Sequence, residues 1–450
     1  MPPTSNRSPL LGPAIRVTVP EPAPTDRWPI EDLVGAYGIA AKPRSLDTRG
    51  WLPPDVSVYV CSIGDVGWLR GAPVPEFSDG AGRTYRDPEL ARRISICEAV
   101  ERYAGLYSRP APVITATGRE LGSRALALDE VARCSAAESR RSDCPVVAPD
   151  LDAPIRWTEA MELTSQEHRL IPLMMARMCP PVMPAERFWL SMSTGCALHR
   201  TPTRALLGGL YEVIERDSIS VAWLRRLPLP RLDPAAVSTD VAEIVAWFGD
   251  RHVTLHLFDA TTDVAVPAVL CVVESPNDRR VSQVIGSAAG FDVPGTALKA
   301  VLEATVMIAP LSGRIRIPRR YRDFTDPMAG AANMARASRR RAFSFLIDGA
   351  AQRATSRPYD RTFGSPDAEL AHVLDVLRSL GMTAYATDLT PPEVAAAGYT
   401  VVQVQVPALQ PASLAPQMQY RGHPRLRHPH PAADGVPRQR DLNRWPLPIS

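Results

Sequence analysis

The stretch on which the fold depends is Ile94-Ser-Ile-Cys-Glu-Ala-Val-Glu-Arg-Tyr-Ala104, which follows the glycine pair of Gly80-Ala-Gly82. Its apolar spacing predicts a helix, and Asp87-Pro88 is a good start, with Asp as the cap and Pro in the first helical position. The Glu-x-x-Glu-Arg motif places Glu98 and Glu101 on one face of that helix. The segment around the two glycines is predicted to be a flexible turn.

The same pattern returns later in the chain, as Gly195-Cys-Ala197 followed by Tyr211-Glu-Val-Ile-Glu-Arg-Asp217. A third glycine-rich segment, Gly286-Ser-Ala-Ala-Gly290, precedes a predicted helix that carries Glu303. A strand, a glycine turn and an acidic helix are therefore predicted three times. Two Glu-x-x-Glu helices that face each other would gather four carboxylates, a cluster that is hard to keep unless cations hold it together.

These glutamates have two interpretations. A single Glu-x-x-Glu-Arg motif is commonly a solvated helix face with local salt bridges. Two copies embedded in apolar residues favour a metal–phosphate site instead, with Glu98, Glu101, Glu212 and Glu215 as ligands. Glu303 is either a fifth carboxylate or a surface residue. Magnesium suits such a site because it takes few carboxylates and leaves room for phosphate oxygens.

Composition excludes several other classes of function. The chain of 450 residues has a net charge of +3, which gives no argument for nucleic acid or an anionic membrane as a partner. Its only lysines are Lys42 and Lys299, and neither belongs to a Gly-Lys-Ser/Thr phosphate loop. A bound nucleotide would need arginines, backbone groups and metal ions. No long uninterrupted apolar run appears, so no transmembrane helix is expected.

The seven cysteines are scattered and never form Cys-x-x-Cys, which argues against a zinc site and against a disulfide framework. Reduced cysteines and a cytoplasmic location are the expectation. Cys97 and Cys196 lie beside the two glutamate motifs. We interpret both as small core residues rather than as nucleophiles.

The composition changes after Val406-Pro407, and the chain becomes rich in proline up to Trp445-Pro-Leu-Pro-Ile-Ser450. Pro446 and Pro448 stiffen this end, so that it could place the carboxylate of Ser450 at a chosen point. Sequence physics alone favours the plainer interpretation, which is a disordered end.

Taken together, these motifs resemble those of the YcaO domain family. The resemblance covers about residues 56–450. It rests on Gly80-Ala-Gly82 with residues 95–103, on Gly195-Cys-Ala197 with residues 205–223, on residues 286–303, on Val406-Pro-Ala-Leu-Gln-Pro411 and on the terminal Pro-Leu-Pro. It implies an α+β fold with mixed or antiparallel sheets, packed by the helices that carry the Glu-x-x-Glu motifs. Residues 1–55 would be a tail and short lead-in, residues 56–450 the YcaO domain, and residues 407–450 a proline-rich tail that reaches the active site.

The resemblance implies ATP- and Mg²⁺-dependent activation of backbone amides in a ribosomal precursor peptide. Cys, Ser or Thr side chains of that peptide then close thiazoline or oxazoline rings. Related members make thioamides or amidines instead, and a non-catalytic scaffold that binds precursor peptide and stimulates a partner enzyme is a further alternative. The expected partners are a separate leader-peptide-binding E1/ThiF-like protein and a flavin-dependent azoline dehydrogenase, with the chain itself as a homodimer.

Carried over residue by residue, the resemblance assigns Mg²⁺ and phosphate binding to Glu98, Glu101, Glu212 and Glu215. It adds as nucleotide-site residues Ser95, Arg102, Arg216 and Glu303. It assigns Pro446 and Pro448 to placing the carboxylate of Ser450, which would act as a base. Two departures stand out: Ala81 occupies a position where many members have Lys, and no Gln follows Glu303 at the usual place.

Overall fold

The computed structural model describes residues 29–65, 67, 77–107, 112–178, 180–324, 327–349, 361–433 and 435–449. Its strands are β1 (Arg44–Ser45), β2 (Val56–Asp65), β3 (Phe77–Tyr85), β4 (Val113–Ala116), β5 (Ile155–Glu162), β6 (His168–Pro172), β7 (Cys196–His199), β8 (Arg231–Leu232), β9 (Thr254–Asp259), β10 (Ala268–Glu274), β11 (Gln283–Ala289), β12 (Tyr385–Asp388) and β13 (Thr400–Gln405). Its α-helices are α1 (Pro88–Leu106), α2 (Gly118–Leu121), α3 (Ala136–Ser139), α4 (Leu173–Ala176), α5 (Pro202–Arg225), α6 (Pro234–Val237), α7 (Thr239–Gly249), α8 (Val293–Val306), α9 (Ile308–Ser312), α10 (Pro327–Ala335), α11 (Ser344–Ile347), α12 (Pro366–Ser379) and α13 (Pro392–Ala396).

The strands form three antiparallel sheets. The first has the order β1-β2-β3 and the second the order β11-β10-β9-β8. The third has the order β4-β5-β12-β13-β7, with β6 also paired to β5. Long helices pack on these sheets, so the predicted α+β class with antiparallel sheets is confirmed.

The glycines at positions 80 and 82 do not form the predicted turn, because they lie inside strand β3, opposite Cys61 and Tyr59 of β2. They are small because β3 lies directly on α1. A Cβ atom on Gly82 would stand 1.8 Å from the carbonyl oxygen of Ala91, and one on Gly80 would stand 2.3 Å from the amide nitrogen of Ala99. The glycines therefore permit close contact between a strand and a helix.

The third glycine segment is likewise a strand rather than a turn. Gly286 lies in β11, where an added Cβ atom would stand 2.3 Å from the amide nitrogen of Ala304 in α8. Gly195 differs from these positions, since it precedes β7 and has a φ of +86°, a value that favours glycine. Its role as a turn residue is confirmed.

The three long helices connect the three sheets. We call β3 with α1, β7 with α5, and β11 with α8 the three strand–helix units. Each of these strands lies at an edge of its sheet. Besides its own strand, α1 contacts β7, α5 contacts β11, and α8 contacts β3. The three units therefore close into a ring.

A buried ionic network attaches the C-terminal tail (residues 407–450) to α5. Asp217 follows the second glutamate motif and is 0% exposed, while Arg425 in the tail is 3% exposed. The guanidinium of Arg425 donates to both Asp217 oxygens, at 2.9 and 2.7 Å, and to Asp263 at 2.9 and 2.6 Å. Such pairs are strongly destabilised when one partner is removed.

The end of the tail is packed, so the plainer expectation of a disordered end is wrong for residues 435–449. Pro446, Leu447 and Pro448 are buried. The indole of Trp223 in α5 donates to the carbonyl oxygen of Trp445 at 3.0 Å, and the Leu447 amide donates to the side-chain oxygen of Gln419 at 2.9 Å. The tail thus lies along the C-terminal half of α5.

By length and composition alone, Val293–Ser312 would be long and apolar enough to cross a membrane, with a mean hydropathy of 1.2. Half of this stretch is buried within the fold, and its α8 part packs on β10 and β11. Core packing accounts for its apolar character.

We expect Arg425→Ala to lower the free energy of unfolding by about 3–5 kcal/mol, because it leaves Asp217 buried without its cation. Chemical denaturation measures this difference. The matched control is Arg119→Ala, which removes an exposed pair with Asp152 and should change stability by less than about 1 kcal/mol. Equal losses in the two variants would contradict a structural role for the buried network.

Candidate active site

One glutamate of each long helix accepts a backbone hydrogen bond from its own unit, either from the strand or from the residue just before it. The Ala81 amide donates to Glu98 Oε2 at 3.0 Å, and the Gly195 amide donates to Glu212 Oε2 at 3.0 Å. The Ser287 amide donates to Glu303 Oε2 at 3.3 Å. Edge strands leave such N–H groups unpaired. The three units thus place three carboxylates at three sheet edges in the same way.

Each arginine of a Glu-x-x-Glu-Arg motif pairs with the two glutamates of its own helix. Arg102 lies 2.9 Å from Glu98 and 3.7 Å from Glu101. Arg216 lies 2.8 Å from Glu215 and 3.6 Å from Glu212. These side chains are less than one quarter exposed, except for Glu98 at 29%. The arginines hold the carboxylates in place.

Helices α1 and α5 bring their glutamates close enough to influence each other. Burial raises the pKa of the Glu101 carboxyl to about 8. The guanidinium of Arg102 opposes this rise in pKa, whereas the carboxylates of Glu212 and Glu98 add to it. A carboxyl with this pKa keeps its proton at neutral pH until a cation arrives.

Helices α5 and α8 meet in a similar way around Glu215. Burial raises the pKa of its carboxyl, and Arg216 opposes that shift. Glu303 raises the pKa further, while Lys299 lowers it. The Ser287 hydroxyl donates to Glu215 Oε1 at 2.7 Å. The second glutamate of one unit is therefore bound by the strand of the next unit.

Five carboxylates meet in this region, and we call them the glutamate cluster: Glu98, Glu101, Glu212, Glu215 and Glu303. Three cations accompany them, which are Arg102, Arg216 and Lys299. Negative charge is in excess, and oxygen ligands of this kind suit Mg²⁺. Within the described ranges, no three acidic, His or Cys side chains already form a metal-ligand set. A divalent ion would therefore take carboxylates that the arginines now hold.

Two residues of this region were not found from the sequence. Ser287 was seen only as part of a glycine-rich segment, and Lys299 only as one of two lysines without a phosphate loop. Lys299 could have been placed near the site from its spacing to Glu303, because that spacing puts both residues on one face of α8.

The other predicted site residues have varied environments. Ser95 is 0% exposed, and its hydroxyl donates to the Arg92 carbonyl oxygen at 2.7 Å, so it is engaged within α1. Pro446 and Pro448 are buried, and Trp445 next to them accepts a hydrogen bond from Trp223 of α5. Ser450 lies outside the described residues, so its predicted place in the active site stays a prediction.

The two cysteines near the cluster are core residues, as interpreted from the sequence. Burial raises the pKa of the Cys97 thiol to about 12 and that of Cys196 well above its ordinary value. A nucleophilic cysteine needs the opposite shift.

Three solved structures have similar folds. A heterocyclase in complex with substrate and cofactor has a TM-score of 0.77 and 21% identity, over 93% of this chain and 56% of that chain. YcaO from Methanopyrus kandleri, bound with AMPPCP and Mg²⁺, has a TM-score of 0.54 and 19% identity, over 84% and 87% of the two chains. The E. coli microcin synthetase McbBCD complex with pro-MccB17 bound has a TM-score of 0.62 and 14% identity, over 91% and 97%. At these identities the similarity concerns the fold alone.

Two curated relatives are similar in sequence. An uncharacterised protein in the tfuA 3′ region of Rhizobium leguminosarum bv. trifolii is 31% identical over 236 residues, which are 48% of this chain and 52% of that protein. An uncharacterised protein of Methanothermobacter thermautotrophicus is 30% identical over 129 residues, which are 28% of this chain and 33% of that protein. The chain thus spans about half or less of the length of these relatives.

We expect the protein without divalent ions to lose stability as the pH rises from about 5 to about 8. The folded pKa of Glu101 lies above its ordinary value of 4.5, so the folded state binds more protons than the unfolded state in this window. The stability that this proton contributes is fully present below the ordinary pKa of 4.5, and it is lost as the pH rises past the folded pKa of about 8. Melting temperatures in buffers with EDTA measure the slope.

Glu101→Gln should flatten this pH dependence, because the amide does not titrate. The matched control is Glu89→Gln on the same helix, whose carboxyl has a lowered pKa and does not titrate in this window. An unchanged slope in Glu101→Gln would show that another group is responsible.

A family comparison covers the three long helices and their glutamates. Residues 80–410 match the model of the family described as YcaO cyclodehydratase, ATP- and Mg²⁺-binding. That span includes every member of the glutamate cluster and confirms the resemblance stated from the sequence. It also agrees with the prediction of ATP and Mg²⁺ as cofactors. The chain belongs to the YcaO family.

Proposed function

We propose that this chain is an ATP- and Mg²⁺-dependent cyclodehydratase that acts on a ribosomal precursor peptide. It would activate backbone amides so that Cys, Ser or Thr side chains close thiazoline or oxazoline rings. The observation that carries the proposal is the glutamate cluster. Its carboxylates come from three helices, lie together at three sheet edges and give the region an excess of negative charge. A scaffold that only binds peptide has no need of such a costly cluster.

The cluster suits phosphoryl transfer from a nucleotide without a phosphate loop. Mg²⁺, when bound, would neutralise charge on the phosphates. Glu98, Glu101, Glu212 and Glu215 would supply the carboxylate ligands, and Glu101 would release its proton as it binds the ion. Arg102 and Arg216 would turn from the carboxylates toward phosphate oxygens, which guanidinium groups bind well.

In this proposal, the nucleophilic side chain of the peptide adds to the carbonyl carbon of the preceding amide. That addition closes the ring. The hemiorthoamide oxygen then takes the terminal phosphoryl group of ATP, which leaves as ADP. Phosphate is finally eliminated together with the proton of the amide N–H, and the C=N bond of the azoline forms. The carboxylate of Ser450 would accept a proton during these steps. The packed tail supports this role, because the carbonyl oxygen of Trp445, next to Pro446, accepts a hydrogen bond from Trp223 of the helix that carries Glu212 and Glu215.

We further propose a separate protein that binds the leader peptide. The McbBCD structure, which has a similar fold, is a complex with pro-MccB17 bound, and this supports a partner in peptide binding. We also propose an azoline dehydrogenase that acts after ring closure.

The direct test is incubation with the precursor peptide, MgATP and the partner, read by mass spectrometry. We expect the loss of one water for each modified residue. Glu215→Gln should reduce turnover by at least about 100-fold, because it removes a charged ligand at the phosphates. Glu159→Gln, an exposed position on β5, is the matched control and should keep wild-type turnover.

The same spectra separate the alternatives. A mass gain equal to the replacement of oxygen by sulfur would identify a thioamide-forming enzyme. No ATP-dependent mass change with a verified cognate set would refute the enzymatic proposal.

Deletion of residues 446–450 should impair ring formation more than it impairs MgATP binding, because the tail would act on the peptide rather than on the nucleotide. Turnover by mass spectrometry and nucleotide affinity by calorimetry give the two readouts. Leu447→Ala is the control for lost packing alone, since it removes a buried side chain and keeps the chain length. A fully active deletion would refute the catalytic role of the tail.

A further inference from the structure

A cavity lies beside the second sheet, between the end of α7, the loop that joins β10 to β11, and α9. It has a volume of about 170 Å³ within its walls. Apolar side chains form most of its lining, among them Trp51, Trp247, Phe248, Val253, Val281 and Ile308. A cavity of about 150 Å³ holds a benzene ring, so this one has room for one aromatic or branched aliphatic side chain.

The two tryptophans of the lining are held in place before any ligand binds. The indole N–H of Trp51 donates to the Asp47 carbonyl oxygen at 2.9 Å. The guanidinium of Arg251 stacks on the ring of Trp247, 3.6 Å from the ring centre, and donates to the Trp247 carbonyl oxygen at 2.9 Å. Phe248 packs edge-on against Trp247. Little side-chain entropy is therefore left to lose when a ligand enters.

Exposed arginines lie around the cavity, and we call them the arginine rim: Arg251, Arg279, Arg280, Arg314 and Arg336. Arg251 lines the cavity itself, and two contacts bring the other segments together. The guanidinium of Arg280 donates to the carbonyl oxygen of Gly313, next to Arg314, at 3.0 Å. The Ala337 amide, next to Arg336, donates to the Arg279 carbonyl oxygen at 3.2 Å.

The arginine rim carries a local excess of positive charge. Within the described ranges, no carboxylate forms a salt bridge with any of its members. Two carboxylates lie near it, since Asp250 precedes Arg251 and Asp278 lines the cavity. One oxygen of Asp278 accepts from the amides of Arg280 and Val281, at 2.7 and 3.0 Å, so this carboxylate is bound within its own turn. The guanidinium groups of the rim therefore favour a partner with acidic groups.

We propose that the cavity and the arginine rim bind an acidic segment of the precursor peptide that carries one aromatic or aliphatic anchor residue. The anchor side chain would fill the cavity, and acidic side chains beside it would pair with the rim. A cavity closed around one side chain favours a peptide over a nucleic acid, whose bases stack on open aromatic surfaces. This inference rests on the proposed function and adds a contact with the substrate away from the reacting amide.

The position of the cavity sets a minimum distance between the anchor and the modified residue. Val281 lines the cavity, and Ser287 of β11 donates to Glu215 in the glutamate cluster. The stretch between them is about six residues of nearly extended chain, which span about 20 Å. At least about six peptide residues would therefore separate the anchor from the amide that reacts.

The test uses three pentapeptides with blocked ends and the full chain: Glu-Glu-Phe-Glu-Glu, Glu-Glu-Gly-Glu-Glu and Lys-Lys-Phe-Lys-Lys. Saturation-transfer NMR should show binding of the first peptide and at least about tenfold weaker binding of the others, because one lacks the anchor and the other lacks the acidic groups. The first peptide should also displace the cognate precursor from the chain without the partner protein. Equal binding of the three pentapeptides would overturn the proposal, and so would a precursor that is not displaced.

Two variants locate the binding surface. Arg279→Glu combined with Arg280→Glu reverses two charges of the rim, and Trp247→Ala removes part of the cavity wall. Both should weaken binding of the acidic peptide by about tenfold and raise the KM for the precursor by a similar factor, with kcat and MgAMPPCP affinity unchanged. The matched control is Arg124→Glu combined with Arg140→Glu, which reverses two exposed charges outside the rim. If Trp247→Ala does not fold, the exposed charge reversal decides the question.

Three results would assign the surface to another ligand and overturn the proposal. The first is loss of partner-protein binding in the rim variant with an unchanged KM for the precursor. The second is displacement of the acidic peptide by a ten-nucleotide oligo(dT) at a lower concentration than the precursor needs. The third is loss of MgAMPPCP affinity in the rim variant. A wild-type chain that binds the acidic peptide but causes no ATP-dependent mass change in the precursor would instead refute the proposed function.

Discussion

The structure depends on the close contact between three edge strands and the helices behind them. In the first and third units this contact excludes any side chain, because a Cβ atom at Gly80, Gly82 or Gly286 would overlap the helix backbone. The short separation lets a glutamate on the helix reach around the sheet edge and accept the N–H group of the strand. The packing of the core and the position of the carboxylates are thus set by the same contact.

The glutamate cluster combines this geometry with an electrostatic conflict. Five carboxylates are gathered in a poorly solvated region, where burial and neighbouring negative charge raise the pKa of Glu101 and Glu215. Two arginines, one lysine and the proton that Glu101 retains below about pH 8 relieve the conflict in the protein alone. A divalent cation would neutralise more of this negative charge, and Glu101 would release its proton when the cation binds. The clustering of carboxylates therefore destabilises the cation-free protein and, for the same reason, gives it a high affinity for cations.

Much of this arrangement could be predicted from the sequence, because helical periodicity and capping are local signals. Asp87 and Thr201 cap α1 and α5, and the glutamates of both helices lie where the motif spacing places them. The glycines of the first and third units were misinterpreted because a turn and a close strand–helix contact both require a missing side chain. The role of Ser287 was not visible, since its partner Glu215 is distant in sequence and joins it only in the folded chain. Sequence physics alone favoured a disordered tail for the same reason, because Arg425 pairs with Asp217 across a long sequence separation.

The ring of three units has a consequence for how the protein is made. Contact between α8 and β3 joins the last unit to the first, and such distant pairing is slow because a long loop must close. During synthesis, α1 leaves the ribosome long before α8, so β3 keeps an open edge and Glu98 and Glu101 lack neighbours across the ring. The glutamate cluster can form only once the chain has been made beyond Glu303. Glu98 and Glu101 are therefore synthesised long before the rest of the cluster is in place. During this interval the edge of β3 is exposed, and we expect chaperones to bind it.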